Sequence, residues 1–158
     1  GLSVAVGVAQ AKKLANDNHL VYVLMGDGEQ AEGQIWDAAM YAPAKNVDNI
    51  VAIVDYNKKQ IDGPTDDVLS LGDLRAKYES FGWKVWECNG NDMQELVDTF
   101  NKIRENAHKG QSQILLAHTE MGMGVDFMMG THKWHGVAPN DEQAANALSQ
   151  LKETLGDY

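Results

Sequence analysis

The chain has 158 residues, of which 44% are hydrophobic, and it contains three prolines and carries a formal net charge of −10. This composition suits one folded domain and excludes a disordered chain, and the acidic balance excludes a nucleic-acid partner held by a basic patch. Because no run of 18 apolar residues appears, we expect a soluble, cytoplasmic protein with no membrane partner.

Helical and strand-like patterns alternate along the whole chain. They predict helices near residues 2–16, 33–44, 71–81, 92–107 and 140–155, and strands near residues 20–25, 49–55, 83–88 and 114–118. The strand segments are continuous apolar runs, as expected of strands covered on both faces. We therefore predict an α/β fold with a doubly wound, mostly parallel sheet and helices on both faces, forming one domain over residues 1–158.

The start of the chain is itself informative. Gly1 leads directly into the apolar helical pattern GLSVAVGVAQAKKLA, and no capping residue precedes it. We expect that the chain begins inside a larger fold and is truncated on its N-terminal side.

Three polar or glycine-rich loops follow predicted strands: GDGEQAEG, YNKKQIDGPT and TEMGMGVDFMMGTHKWHG. In a parallel sheet these loops open on the same edge, where ligands of α/β folds bind. The sequence therefore predicts a ligand site at the carboxyl ends of the strands.

The first of these loops contains Gly26, Asp27 and Gly28, whose glycines allow a phosphate to approach the backbone. The same triplet also suits a plain tight turn, and with the residues after it the loop fits the G-x-G-x-x-A pattern of dinucleotide sites. In a dinucleotide site, however, Asp27 and Glu29 would repel the pyrophosphate. That repulsion disfavours a nicotinamide or flavin site.

A carboxylate in a phosphate loop makes sense when it binds a hard divalent ion, because Mg²⁺ takes oxygen ligands and shares them with phosphates. Asn57 supplies a second oxygen, since it stands 30 positions after Asp27 and follows the next strand. One βαβ unit would bring the two side chains together.

Aspartate and asparagine at this spacing resemble the thiamine diphosphate fingerprint. The surrounding segments GDGEQAEGQIWDAAMYA, NIVAIVDYNKKQIDGPT, FGWKVWECNGND and GMGVDFMMGTHKWHGVAPN resemble transketolases over essentially the whole chain. The resemblance is greatest to the N-terminal, thiamine diphosphate-binding section of transketolases whose two halves are separate polypeptides.

The resemblance assigns a cofactor site residue by residue. Asp27 and Asn57 match the side-chain ligands of a magnesium or calcium ion, and Lys59 matches the residue that gives its backbone carbonyl. A lysine side chain cannot be a ligand while it is charged, because it has only donors, and the side chain by itself reads as an exposed loop lysine. Gly26 and Gly28 would border the diphosphate.

Further residues match the family's site around the reacting part of the cofactor. Ile61 and Met121 match apolar residues beside the thiazolium ring, although ordinary core packing would also explain them. His135 matches a histidine that reaches the diphosphate and substrate, whereas His132 lies where the family varies. Glu32 matches a glutamate that couples to the partner's cofactor-activating glutamate, although a helix-start carboxylate also reads as a cap.

The resemblance implies transfer of a two-carbon ketol group from a ketose phosphate to an aldose phosphate in the pentose phosphate pathway. The aminopyrimidine would bind a separate C-terminal subunit, in a dimer or another homo- or hetero-oligomer. We therefore expect this chain alone to be inactive. Two alternatives stay open: another thiamine enzyme (a deoxyxylulose phosphate synthase or a 2-oxo acid dehydrogenase alpha chain), or a noncatalytic module that binds cofactor or a partner.

Overall fold

A parallel sheet forms the centre of the protein in a computed structural model that describes residues 1–152. Within those residues the strands are β1 (Val21–Gly26), β2 (Ile50–Tyr56), β3 (Lys59–Gln60), β4 (Gly63–Pro64), β5 (Lys84–Asn89) and β6 (Gln113–His118). The α-helices of the same residues are α1 (Leu2–Leu14), α2 (Gly33–Ala44), α3 (Thr65–Leu69), α4 (Leu74–Phe81), α5 (Met93–Glu105) and α6 (Asp141–Gln150). None of these helices has both the length and the apolar composition that crossing a membrane requires.

The four long strands run parallel in the order β1-β2-β6-β5. Their carboxyl ends are level, since Gly26 pairs with Asp55 and His118 pairs with both Tyr56 and Asn89. The loops after β1, β2, β5 and β6 therefore open on one edge. The strands β3 and β4 form a small antiparallel hairpin inside the loop after β2.

Helices cover both faces of the sheet, as predicted for continuous apolar strands. One core cluster joins α1, α2 and α4 to sheet residues that include Met25, Ala52 and Leu116. A smaller cluster on the opposite face joins α5 to Val51 and Leu115. The predicted α/β fold with a parallel, doubly wound sheet is therefore confirmed.

Two helix ends predicted from the apolar periodicity differ from those observed. The predicted helix 71–81 begins only at Leu74, because the Asp73 side chain caps it by accepting from the backbone N–H of Ala76 at 2.9 Å. Leu71 belongs to the apolar pattern because it is buried in the core and not because it is helical. At the other end, α6 stops at Gln150. The predicted helical residues 151 and 152 are thus not helical, and residues 153–155 lie outside the described residues.

Candidate functional site

Asp27 begins the loop after β1 and is buried, with only 1% of its surface exposed. One carboxylate oxygen accepts from the backbone N–H of Gly28 at 2.7 Å, and the other accepts from the backbone N–H of Lys58. The loops after β1 and β2 are therefore joined at this carboxylate. Burial raises the pKa of Asp27 against the opposing effect of the two amide donors, and the nearby charge of Asp55 raises it further.

Buried hydrogen bonds connect this loop to two helices. Gln30, which is fully buried, donates from Nε2 to the Gly26 carbonyl at 3.1 Å and accepts at Oε1 from the Tyr78 hydroxyl at 2.6 Å. The indole N–H of Trp36 donates to the Gln30 carbonyl at 2.8 Å. These bonds thus tie the glycine loop to α2 and α4, and burial raises the pKa of the Tyr78 hydroxyl.

The two glycines of the loop have different surroundings. A Cβ atom at Gly26 would meet nothing within 4 Å, whereas one at Gly28 would lie 3.0 Å from the Cβ of Gln60. The second loop therefore packs closely on Gly28. Gly26 borders open space at the end of β1, where a phosphate could approach the backbone.

Asn57 follows β2 with its side-chain amide held on both sides. Its Oδ1 accepts from the backbone N–H of Lys59 at 2.8 Å, and its Nδ2 donates to Asp55 at 3.3 Å. Asp55 in turn accepts from the Thr119 hydroxyl at the end of β6. Asn57 directly precedes Lys58, whose amide contacts Asp27, so the two predicted metal ligands stand on loops that touch.

The side chain of Lys59 corrects an expectation. It is not an exposed loop lysine: only 16% of it is exposed, and its Nζ lies 3.0 Å from Glu120 Oε1. The same Glu120 oxygen accepts from the backbone N–H of Gly130 at 2.8 Å. These two contacts lower the pKa of Glu120, the amide contact more than the lysine. They also join the loop after β2 to the loop after β6.

Two adjoining cavities open at this edge of the sheet. The larger, of about 520 Å³, is lined by residues that include Asp55, Asn57, Thr119 and Met121. The smaller, of about 220 Å³, is lined by residues that include Gly28, Lys59 and Ile61. His135 is exposed and lines both cavities.

The apolar residues predicted beside the cofactor ring are not packed in the core. Ile61 is 70% exposed, and Met121 is partly buried at the larger cavity. Core packing, the competing interpretation for each, is therefore wrong for Ile61. Ile61 lines the smaller cavity and Met121 lines the larger one.

Glu32 lies apart from these cavities. It occupies the N-cap position of α2, but its side chain makes no capping hydrogen bond. The exposed carboxylate instead accepts from the Gln34 side chain at 2.7 Å. The capping interpretation of Glu32 therefore fails as far as a side-chain hydrogen bond is concerned.

The side-chain oxygen atoms of Asp27 and Asn57 at this edge are of the kind that binds a hard divalent cation. Within residues 1–152, Asp27 has no lysine, arginine or histidine partner, although its carboxylate is buried. Each of its oxygens receives one amide and keeps a further lone pair. A divalent ion bound there would supply the missing positive charge, and carboxylate and amide oxygens are the ligands that magnesium and calcium take.

Sequence reasoning missed the residues that support the site. The Gln30 and Tyr78 side chains meet across 48 positions, the Lys59 and Glu120 side chains across 61, and the Asp55 and Thr119 side chains across 64. Only the position of Asp55 at a strand end offered a signal. The other residues look like ordinary helix or loop residues until the chain is folded.

Comparison with known proteins agrees with the resemblance to transketolases. The family model described as the transketolase thiamine diphosphate binding domain matches residues 1–156. One subunit of the apulose-4-phosphate transketolase of Phocaeicola vulgatus is 43% identical over 155 residues, which cover 98% of this chain and 54% of that protein. The 6-deoxy-6-sulfo-D-fructose transketolase subunit SqwG of Clostridium sp. is 35% identical over 153 residues, which cover 97% of this chain and 55% of that protein.

The fold is also similar to that of a solved structure. The crystal structure of a transketolase from Campylobacter jejuni superposes with a TM-score of 0.86 at 28% identity, over 95% of this chain and 24% of that one. The chain spans about half the length of the two subunits.

Proposed function

The chain belongs to the transketolase thiamine diphosphate-binding domain family, and from this premise we propose that it holds the diphosphate of thiamine diphosphate through a magnesium or calcium ion. Asp27 and Asn57 would be the side-chain ligands of the ion, and Lys59 would give its backbone carbonyl. The observation that carries the proposal is the buried carboxylate of Asp27, which lacks a cationic side-chain partner among residues 1–152 and touches the loop of Asn57.

The remaining predicted residues are given roles around the cofactor. Gly26 and Gly28 would border the diphosphate, since Gly26 faces open space at the strand end. Ile61 and Met121 would exclude water beside the ring, and His135 would contact the diphosphate and substrate from its place at both cavities. The cofactor, when bound, supplies the carbon nucleophile of the reaction.

The reaction that we propose is transfer of a two-carbon ketol group from a ketose phosphate to an aldose phosphate. The names of the two relatives contain a ketose phosphate and a sulfonated ketose, which supports a ketose donor. Both relatives are named as subunits. We therefore propose that a separate pyrimidine-binding subunit completes the active site and that Glu32 couples to its activating glutamate.

Calorimetry with thiamine diphosphate tests the cation requirement, with the chain and its partner subunit in magnesium or in EDTA. We expect binding in magnesium and little or none in EDTA. Equal affinity in the two buffers would refute the metal site. Turnover of a ketose phosphate, measured with and without this chain, then separates an enzyme subunit from a noncatalytic module, for which the chain would make no difference.

A further inference from the structure

Three side chains form a hydrogen-bonded row at the carboxyl ends of β2 and β6. The Thr119 hydroxyl donates to Asp55 Oδ1, and Asn57 Nδ2 donates to Asp55 Oδ2 at 3.3 Å. Asp55 lies in β2 and Thr119 directly follows β6, and these two strands are paired in register, since Asp55 faces Ala117 and Tyr56 faces His118. All three side chains line the larger cavity.

Both neighbours of the Asn57 side chain require the same orientation of its amide. The backbone N–H of Lys59 can only donate, so the atom that faces it must be the oxygen, at 2.8 Å. An ionised Asp55 can only accept, so the atom that faces it must be the NH₂ group. The amide oxygen is thereby kept facing the Lys59 amide, next in the chain to Lys58, whose own amide contacts Asp27.

We propose that Asp55 and Thr119 are positioning residues for the divalent ion: Thr119 holds Asp55, and Asp55 holds the Asn57 amide with its oxygen available as a ligand. This inference rests on the proposed function. A flipped amide would present its NH₂ group, which has only donors and cannot bind a cation. Groups that orient metal ligands in this way typically change metal affinity by about 10- to 100-fold when they are lost.

Thr119 offers a test that leaves the charge of the site unchanged. Thr119→Val removes the hydroxyl and keeps the branched shape, whereas Thr119→Ser keeps the hydroxyl. In the presence of thiamine diphosphate and the partner subunit, we expect Thr119→Val to weaken magnesium affinity by about 10- to 100-fold. Thr119→Ser should stay close to wild type, and Asp55→Asn should weaken affinity in the same direction as Thr119→Val.

A second measurement needs neither cofactor nor metal. The side-chain NH₂ signals of Asn57 can be followed by nitrogen-15 NMR and identified by their loss in Asn57→Asp. We expect Thr119→Val to shift these signals and to speed their exchange with solvent, and Thr119→Ser to leave them in place. A merely structural role for Thr119 would not single out this one side chain.

The two measurements separate failure of this inference from failure of the function. Equal magnesium affinity in the valine and serine variants, or unchanged Asn57 signals in Thr119→Val, would overturn the positioning role. Absence of magnesium binding in wild type and every variant, while the Asn57 signals still respond to Thr119→Val, would overturn the proposed metal site instead.

Discussion

The loop after β1, residues 27–32, and the loop after β6, residues 119–140, both border the smaller cavity but are held in different ways. In the first loop Asp27 and Gln30 are buried, and Gln30 accepts one hydrogen bond from Tyr78 of α4. In the second loop Met123 is 56% exposed and His135 is exposed. Its connection to the loop after β2 includes the partly exposed Lys59 and Glu120 pair.

This difference indicates that the two loops have different roles. A loop held by buried hydrogen bonds suits a diphosphate and a metal ion, whose ligands must be fixed within narrow limits. A loop held near the surface can adapt to a substrate or a partner at lower cost. Substitutions at the buried residues of the first loop should therefore change binding and stability together, and those in the second loop should act locally.

The largest effect is expected from Asp27→Asn, which removes the ligand charge and nearly keeps the shape. We expect at least about a 100-fold loss of magnesium-dependent thiamine diphosphate affinity, beyond the usual effect of groups that only orient a ligand. One amide contact of the carboxylate is also at risk, so the free energy of unfolding should fall by about 1–3 kcal/mol. Calorimetry and urea unfolding measure the two effects. Retained affinity would show that the loop chiefly forms a turn.

The pH dependence of stability provides a control for Asp27→Asn. Burial raises the pKa of Asp27 above its ordinary value of about 3.9, so the metal-free folded chain retains a proton that the unfolded chain releases. The stability contribution of this group is therefore lost as the pH rises through the raised pKa. Magnesium and cofactor need the ionised carboxylate, so the thermal stabilisation they give should increase over the same interval in wild type and not in Asp27→Asn.

The next largest effect is expected at the hydrogen bond between Tyr78 and Gln30 of the first loop. Tyr78→Phe removes the hydroxyl that donates to Gln30 and leaves a buried amide oxygen without that partner. We expect a loss of about 1–3 kcal/mol in unfolding free energy. Tyr41→Phe is the matched control, because Tyr41 is 44% exposed, and it should change stability by less than about 0.5 kcal/mol. Equal effects in the two variants would mean that this hydrogen bond is unimportant.

Glu120→Gln tests how the second loop is held. The Glu120 side chain is 38% exposed, and an ion pair with one partner this exposed contributes about 0–1 kcal/mol to stability, so the free energy of global unfolding should barely change. Hydrogen exchange of residues 120–135 should become faster, whereas the exposed control Glu105→Gln should leave it unchanged.

The same pair has a defined pH dependence. Since the pKa of Glu120 is lowered in the folded chain, the pair contributes above the ordinary glutamate value of about 4.3 and is lost as the pH falls through the lowered pKa. The difference between Glu120→Gln and wild type should therefore vanish in acid. A difference that persists there would have another cause than the charge of Glu120.

The sequence predicted the strands and the proposed ligands of the site better than the side-chain contacts that hold them in place. Continuous apolar runs indicated the parallel strands, and a strand-end aspartate followed 30 positions later by Asn57 marked the edge where the loops meet. The Gln30 and Tyr78 contact and the Lys59 and Glu120 pair depend on how separate βα units pack. No local periodicity records such packing, so these contacts become visible only in three dimensions.

The smallest effect on stability is expected from Glu32→Gln, because this side chain is exposed and makes no capping hydrogen bond. Its charge near the start of α2 contributes at most about 0.3–1 kcal/mol through the helix dipole. Affinity for magnesium and thiamine diphosphate should be close to wild type, since Glu32 lines neither cavity.

If Glu32 couples to the activating glutamate of a partner subunit, the variant should still lower turnover in the assembled enzyme. Proton exchange at the C2 carbon of the cofactor should slow in parallel, because that exchange reports activation of the cofactor apart from sugar binding. Glu142→Gln is a matched control, since Glu142 is an exposed acid in the first turn of α6. It shares the dipole contribution and should leave C2 exchange unchanged. Normal C2 exchange and turnover in Glu32→Gln would leave Glu32 with only its weak electrostatic contribution to the helix.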